Sequence, residues 1–199
     1  MRVLVQNLQK IHRLATELLE EHNPDVMILQ EINLPSENHT FPASNVSRMG
    51  YGTAIGSRYD INNIKLIQSP YAEFGGLIHK KTTLATVESI QFVSFHGYNG
   101  QPFKSKKKLA SHVHDVLAQI QPGPAVFCGD FNTWSQSHLD AVTTEMDGKG
   151  FYLAYSWPYP CRDFPLDHVF LRGVSIMNSV NYSCVSDHRG AILELAVKN

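Results

Sequence analysis

The stretch AVFCGDFNT, residues 125–133, sets a short apolar run directly before a carboxylate and an amide. A run of this length, bounded by turn residues, reads as a strand buried on both faces, with the polar residues placed where it emerges. Cys128, inside the run, reads as a small buried hydrophobe. DVMILQE, residues 25–31, repeats the plan and ends at Gln30-Glu31, and Val3-Leu4-Val5 repeats it again before Gln6-Asn7.

Helical stripes alternate with these runs. Ile11, Leu14, Ala15, Leu18 and Leu19 recur at helical spacing, and Asn23-Pro24 stops them. Leu109, Val113, Val116, Leu117 and Ile120 form a second stripe, closed by Gln121-Pro122-Gly123-Pro124. A third helix is expected over 136–146, and further strands near 51–57, 63–69, 83–88, 91–96, 166–171, 174–182 and 190–197. Residues 32–50, rich in Pro, Asn and Ser, are expected to form a surface loop. Strand–helix–strand units mixed with hairpins predict an α/β (α+β) four-layer sandwich: two mixed β-sheets face to face, with helices on the outer faces. No linker divides the chain, so residues 1–199 are expected to be one domain.

Composition narrows the functional classes. Seventeen Lys+Arg against eighteen Asp+Glu give a net charge of −1, which argues against holding nucleic acid by bulk electrostatics. No apolar stretch approaches the roughly 20 residues of a membrane span. MRVLVQNLQK reads as a strand and not as a secretory leader. Three cysteines without CxxC spacing make a disulfide framework or a four-cysteine zinc site unexpected, and a reducing cytoplasm is the simpler setting. Ten histidines invite a zinc reading, but no HExxH-type spacing occurs. His112 and His114 are expected on the solvent side of the second helix.

The informative pattern is where polar residues meet strand ends: Gln6-Asn7, Gln30-Glu31, His96, Asp130 with Asn132, Asp187-His188, and Asp167 at the start of a strand. Taken singly, an Asp or Asn after a strand is a turn residue or helix cap, and a lone His is a hydrogen-bonded structural residue. Six such places, all hard oxygen ligands or imidazoles, are poorly explained as independent accidents. Strand ends at one sheet edge share a rim, where α/β proteins place their sites.

LQE ending at Glu31, GDFNT at 129–133, PLDHVF at 165–170 and SDH at 186–188 resemble the endonuclease/exonuclease/phosphatase superfamily, the group of deoxyribonuclease I and exonuclease III. The resemblance runs from Asn7 to His188, and SFHGYN, GDFNTW and PLDHVFLRG are similar to small bacterial members without an assigned substrate. It implies Mg²⁺- or Mn²⁺-dependent phosphoester hydrolysis, in which the site must stabilise charge on the phosphoryl and leaving oxygens. By resemblance, Glu31 is the principal metal ligand, with Asn7 beside it and Asp187 opposite. Asp130 orients or deprotonates the attacking water, and Asn132 positions that water or the phosphate. His188 donates to a phosphate oxygen or acts as the base, with Asp167 as its partner, and His96 is a second imidazole donor. In deoxyribonuclease-like members a Glu pairs with the residue corresponding to His96. HKKTTLATV, residues 79–87, has no carboxylate there, which leaves Glu73 as the nearby candidate.

FKSKKK, with Lys104, Lys106, Lys107 and Lys108, opens the second helix and reads either as a solvated helix start or as phosphate-backbone contacts. Asn99 is a further substrate-side candidate, and Trp134 with SWPYP, residues 156–160, is a candidate wall for a base or lipid group. The leading expectation is a nuclease acting on DNA without sequence specificity or at ends and single strands, with no stable protein partner. The second is a hydrolase of a small phosphoester or phospholipid headgroup, since sphingomyelinases and inositol phosphatases share this sandwich. A non-catalytic binding protein on the same fold is the third. Such relatives lose metal or imidazole groups, and all of those groups are present here.

Overall fold

The computed structural model describes residues 1–33, 41–73, 75–101, 103–160, 162 and 164–198. Twelve strands and three helices follow in the order β1 (Arg2–Asn7), α1 (Leu14–His22), β2 (Val26–Asn33), β3 (Ala43–Val46), β4 (Tyr51–Ser57), β5 (Ile61–Glu73), β6 (Ile78–Val87), β7 (Ile90–His96), α2 (Lys106–Leu117), β8 (Ala125–Asp130), α3 (Gln136–Asp147), β9 (Tyr152–Trp157), β10 (Asp167–Arg172), β11 (Val174–Tyr182) and β12 (Gly190–Val197). They form two six-stranded sheets, ordered β11-β12-β1-β2-β4-β3 and β5-β6-β7-β8-β10-β9. Among the described residues no helix is long and apolar enough to cross a membrane.

Alternation within the central strands builds the four layers. Val3, Val5, Val26, Ile28, Val126 and Cys128 point between the sheets and pack in one core with residues of β6, β7, β10 and β12. Their neighbours Leu4, Met27 and Leu29 face outward onto Leu14, Ala15 and Leu18 of α1. On the far side, Phe127 and Phe95 face Leu109, Val113 and Val116 of α2 and Val142 and Met146 of α3. Both faces of these strands are therefore covered, which is why they read as unbroken apolar runs. Phe127 lies 5.1 Å from Phe95 and 5.6 Å from Phe131 between ring centroids. Truncating such a ring to Ala costs about 3–5 kcal/mol.

β1 and β2 pair in parallel across α1, and β7 and β8 pair in parallel across α2. Parallel partners end on the same side, so Asn7, Glu31, His96 and Asp130 reach one edge of the sandwich. β10 runs antiparallel to β8 with Asp167 opposite Asp130, and β12 runs antiparallel to β1 with Ala191 opposite Val5. Asp167 and the residues just ahead of β12, His188 among them, therefore meet the same rim.

Three expectations need correction. Residues 32–50 are not one loop: β2 extends to Asn33, and Ala43–Val46 forms edge strand β3 against β4, while residues 34–40 lie outside the described residues. Tyr152–Trp157 is an edge strand that sequence reading missed, and Trp157 is core: it is 1% exposed and donates its indole N–H to the Arg189 carbonyl at 2.8 Å. His112 is fully buried against Phe95, whereas His114 is exposed and faces Glu145.

Candidate active site

A bulge aims Glu31. The β2–β4 register shifts between Gln30 and Ile32, and Glu31 takes a φ of 50°, which turns its side chain out of the ladder. Its carboxylate lies 3.7 Å from the Lys10 ammonium and 3.6 Å from His96 Nε2. Asn7 donates from Nδ2 to Asp130 Oδ2 at 3.1 Å, while its Oδ1 accepts the Gln9 N–H at 3.0 Å. The ends of the two sheets are thereby tied together at the rim.

The GDFNT turn presents Asp130 with backbone help on each side. Gly129 has φ 135°, and a Cβ there would lie 2.3 Å from the Phe95 carbonyl oxygen, so only glycine lets β8 run this close to β7. Asn132, at φ 55°, gives its N–H to Asp130 Oδ1 at 2.9 Å and its Nδ2 to the Gly97 carbonyl at 3.0 Å. Burial raises the Asp130 pKa. His188, Lys80 and the Asn132 N–H oppose that shift, and Asp167 adds to it.

Two imidazoles flank Asp130 Oδ2, His96 at 3.6 Å and His188 at 3.9 Å, both through Nε2. His188 Nδ1 bonds Asp167 Oδ2 at 2.7 Å, and Tyr159 packs edge-on against the ring at 4.7 Å. Burial works against the His188 charge, but Asp167, with help from Asp130 and Asp187, raises its pKa to about 10. His96 differs: burial first, then the Lys80 charge, pushes its pKa well below the ordinary value. The Lys80 ammonium lies 2.6 Å from His96 Nε2 and 3.8 Å from Glu73 Oε2. Glu73 therefore pairs with Lys80 and is no partner of His96; its Oε1 accepts the N–H groups of Asn99 and Gly100.

Asp187 stands on the exposed lip, where its carboxylate accepts the Tyr159 hydroxyl at 3.2 Å. On the neighbouring wall, Trp134 donates its indole N–H to Asn99 Oδ1 at 2.9 Å. Lys104 sits over the same ring at 2.9 Å and Arg162 at 4.3 Å. Burial, with Arg162 adding repulsion, lowers the Lys104 pKa to about 8. Lys106 is not part of this cluster; it is exposed at the α2–α3 surface beside Ser137 and Asp140. His168 serves the frame, bonding the Thr133 hydroxyl at 2.6 Å and the Ser156 hydroxyl at 2.7 Å. Lys80 and Arg162 are absent from the sequence candidates, whereas Tyr159 falls in SWPYP, the stretch expected to form a wall. Lys80 lies in HKKTTLATV, where the family pattern points to a carboxylate and gives a cation no signal.

The chain matches the model of the Endonuclease/Exonuclease/phosphatase family over residues 6–188. It belongs to that family. Members are hydrolases that act on phosphoester bonds. A UPF0294 protein of Yersinia enterocolitica is 27% identical, over 98% of this chain and 83% of the relative. A UPF0294 protein of Vibrio vulnificus is 34% identical over 43% of this chain, and the chain spans about a third (32%) of that relative's length. The fold is similar to that of a 3′ phosphatase from Neisseria, solved bound to a product DNA hairpin, with TM-score 0.71, 18% identity and coverage of 98% of this chain and 99% of that one.

The family is generally divalent-metal dependent. Among the described residues no group of three or more His, Cys, Asp and Glu side chains is arranged to hold a metal. What the rim offers is the Glu31 carboxylate, one-fifth exposed, with the Asn7 amide on the adjacent strand of the same sheet. One or two hard oxygen ligands with open positions suit Mg²⁺ or Mn²⁺, which keep several waters.

Proposed function

We propose that this chain is a divalent-metal-dependent phosphodiesterase, with DNA ends or single strands as the leading substrate class. The observation that carries this reading is the placement of Asp130 between a charged imidazole, His188, and a neutral one, His96. Glu31 and Asn7 would hold Mg²⁺ or Mn²⁺, with Asp187 as a further ligand. The bound ion supplies charge neutralisation for the phosphoryl oxygens.

The chain's own groups supply the rest. Asp130, its pKa raised by burial, accepts a proton from the attacking water, and Asn132 holds that carboxylate in place. His188 gives a hydrogen bond from Nε2 to a phosphoryl oxygen, while Asp167 fixes the ring through Nδ1. Trp134, flanked by Lys104 and Arg162, offers an aromatic face with two cations. A nucleotide needs such a surface for base stacking and a neighbouring phosphate. The Neisseria phosphatase of the same fold, seen with a DNA product, supports the nucleic-acid assignment.

A small phosphoester is the second reading, favoured by the absence of a net basic charge. The experiment is hydrolysis of supercoiled plasmid and single-stranded DNA with Mg²⁺, Mn²⁺ or EDTA, with His188→Ala as control. Metal-dependent cutting lost in the variant is expected. A folded, Mg²⁺-binding protein that leaves both DNAs intact while cleaving a chromogenic phosphodiester would replace DNA with a small phosphoester.

A further inference from the structure

The nitrogen that His96 turns toward the rim is Nε2, which lies 3.6 Å from both Glu31 and Asp130. The Lys80 ammonium occupies that nitrogen at 2.6 Å. An ammonium group has donors and no acceptor, so Nε2 receives the bond and the ring carries its proton on Nδ1. His96 then has no N–H to offer a phosphate from Nε2. The donor available at this position is the ammonium itself.

Lys80 is also a built feature. Its side chain is 13% exposed and that of Glu73 is 4% exposed. Glu73 is fixed by two backbone N–H groups from the turn after β7. At 3.8 Å, Glu73 Oε2 balances the Lys80 charge without a short hydrogen bond. One ammonium N–H is used on His96, which leaves donor capacity for an incoming anion. Lysine binds phosphate as a point charge, which suits a tetrahedral group whose oxygens share the charge.

We propose that Lys80 is a phosphate-binding residue of this site, its ammonium taking a non-bridging oxygen of the scissile phosphoryl group while His96 and Glu73 hold it in place. The proposal rests on the phosphoester reading above.

The test is calorimetric binding of inorganic phosphate in saturating Mg²⁺, which needs no turnover, to the wild type, Lys80→Met and Lys80→Arg. Loss of a charge-assisted contact is expected to weaken phosphate binding by about 10- to 100-fold in Lys80→Met. Lys80→Arg is expected to recover most of that loss, and the Mg²⁺ needed for half-maximal activity should be unchanged in both. Should Lys80→Met fail to fold, the double variant Lys80→Gln/Glu73→Gln removes both charges and gives the same reading. Wild-type phosphate affinity in a folded Lys80→Met or double variant would overturn the assignment even if turnover fell, because Lys80 would then act only by positioning His96. A wild type that neither binds phosphate nor cleaves any phosphoester would instead remove the hydrolase reading itself.

Discussion

His96 and His188 approach the same oxygen of Asp130, one from the end of β7 and the other from just ahead of β12. Their nearest charged partners are opposite. Asp167 stands against His188 Nδ1 and keeps that ring protonated, whereas Lys80 stands against His96 Nε2 and keeps that ring neutral. Both rings are buried, so desolvation works against charge in each. The neighbour decides the outcome: a carboxylate at 2.7 Å overcomes the burial of His188, and an ammonium at 2.6 Å adds to the burial of His96. Two imidazoles on two sheets are thus held in different charge states. The β10–β12 side presents an imidazolium, and the β6–β7 side presents a neutral ring with the Lys80 ammonium against it.

The largest effect should come from the charged side. His188→Ala is expected to lower kcat by about 10²- to 10⁴-fold, the range for a positioned proton-transfer or donor group. His96→Ala leaves the Lys80 cation in the site and should cost distinctly less. Equal losses in the two variants, measured on one substrate at saturating Mg²⁺, would break the asymmetry.

A sharper version tests the pair as a unit. Asp167→Asn should lower kcat by about 10- to 100-fold through misorientation and loss of the held charge, with the fold intact by circular dichroism. Adding it to His188→Ala should cost almost nothing more, since Asp167 acts through that ring. Additive losses in the double variant would give Asp167 a role of its own, and its buried Oδ1, without a hydrogen-bond partner among the described residues, would become the place to look.

Glu31→Ala should be smaller in rate at saturating metal but visible in metal demand. The expected outcome is a shift of half-maximal activity to higher Mg²⁺, with the saturated rate falling less than in His188→Ala. An unchanged Mg²⁺ dependence would take Glu31 out of the ligand set and leave its contacts with Lys10 and His96 as its only role.

How much of this was readable beforehand follows from burial. β1, β2 and β8 were legible because strands covered on both faces read as apolar runs, and their polar ends marked Asn7, Glu31 and Asp130. β3 and β9 were not, because an edge strand is covered on one face and ASNV and YLAYSW mix polar with apolar positions. The Asp167–His188 pair came from motif order, and the distance of 2.7 Å supplies the physics. Lys80 was hidden by a different cause: the family pattern asked for a carboxylate, and only the packing of β6 on β7 shows that an ammonium faces His96. His112 was readable and misjudged. Leu109, His112, Val113 and Val116 fall at i, i+3, i+4 and i+7, a single buried helix face.

His112 also gives the smallest of these effects, and it extends the comparison to a histidine that feels the same Lys80 charge without a hydrogen bond among the described residues. Both ring nitrogens are buried without a hydrogen-bond partner among the described residues, and burial first, then the Lys80 charge, lowers the pKa to about 3. The unfolded chain protonates the same residue near 6.5, so the unfolded state binds more protons between those values. The native state therefore keeps its full stability above pH 6.5 and loses it as the pH falls toward 3. His168, likewise buried and lowered to about 3, acts in the same direction, so acid unfolding is expected to be steep. His112→Leu removes two unpaired polar atoms, which cost about 1–3 kcal/mol when a partner is lacking, and keeps a good helix former on the buried face. The melting temperature at pH 7 should hold or rise, and its decline between pH 6.5 and pH 4 should become shallower than in the wild type. A lower melting temperature at pH 7 with an unaltered acid slope would mean that His112 is a bonded core residue. The contrast with His188 would then rest on His96 alone.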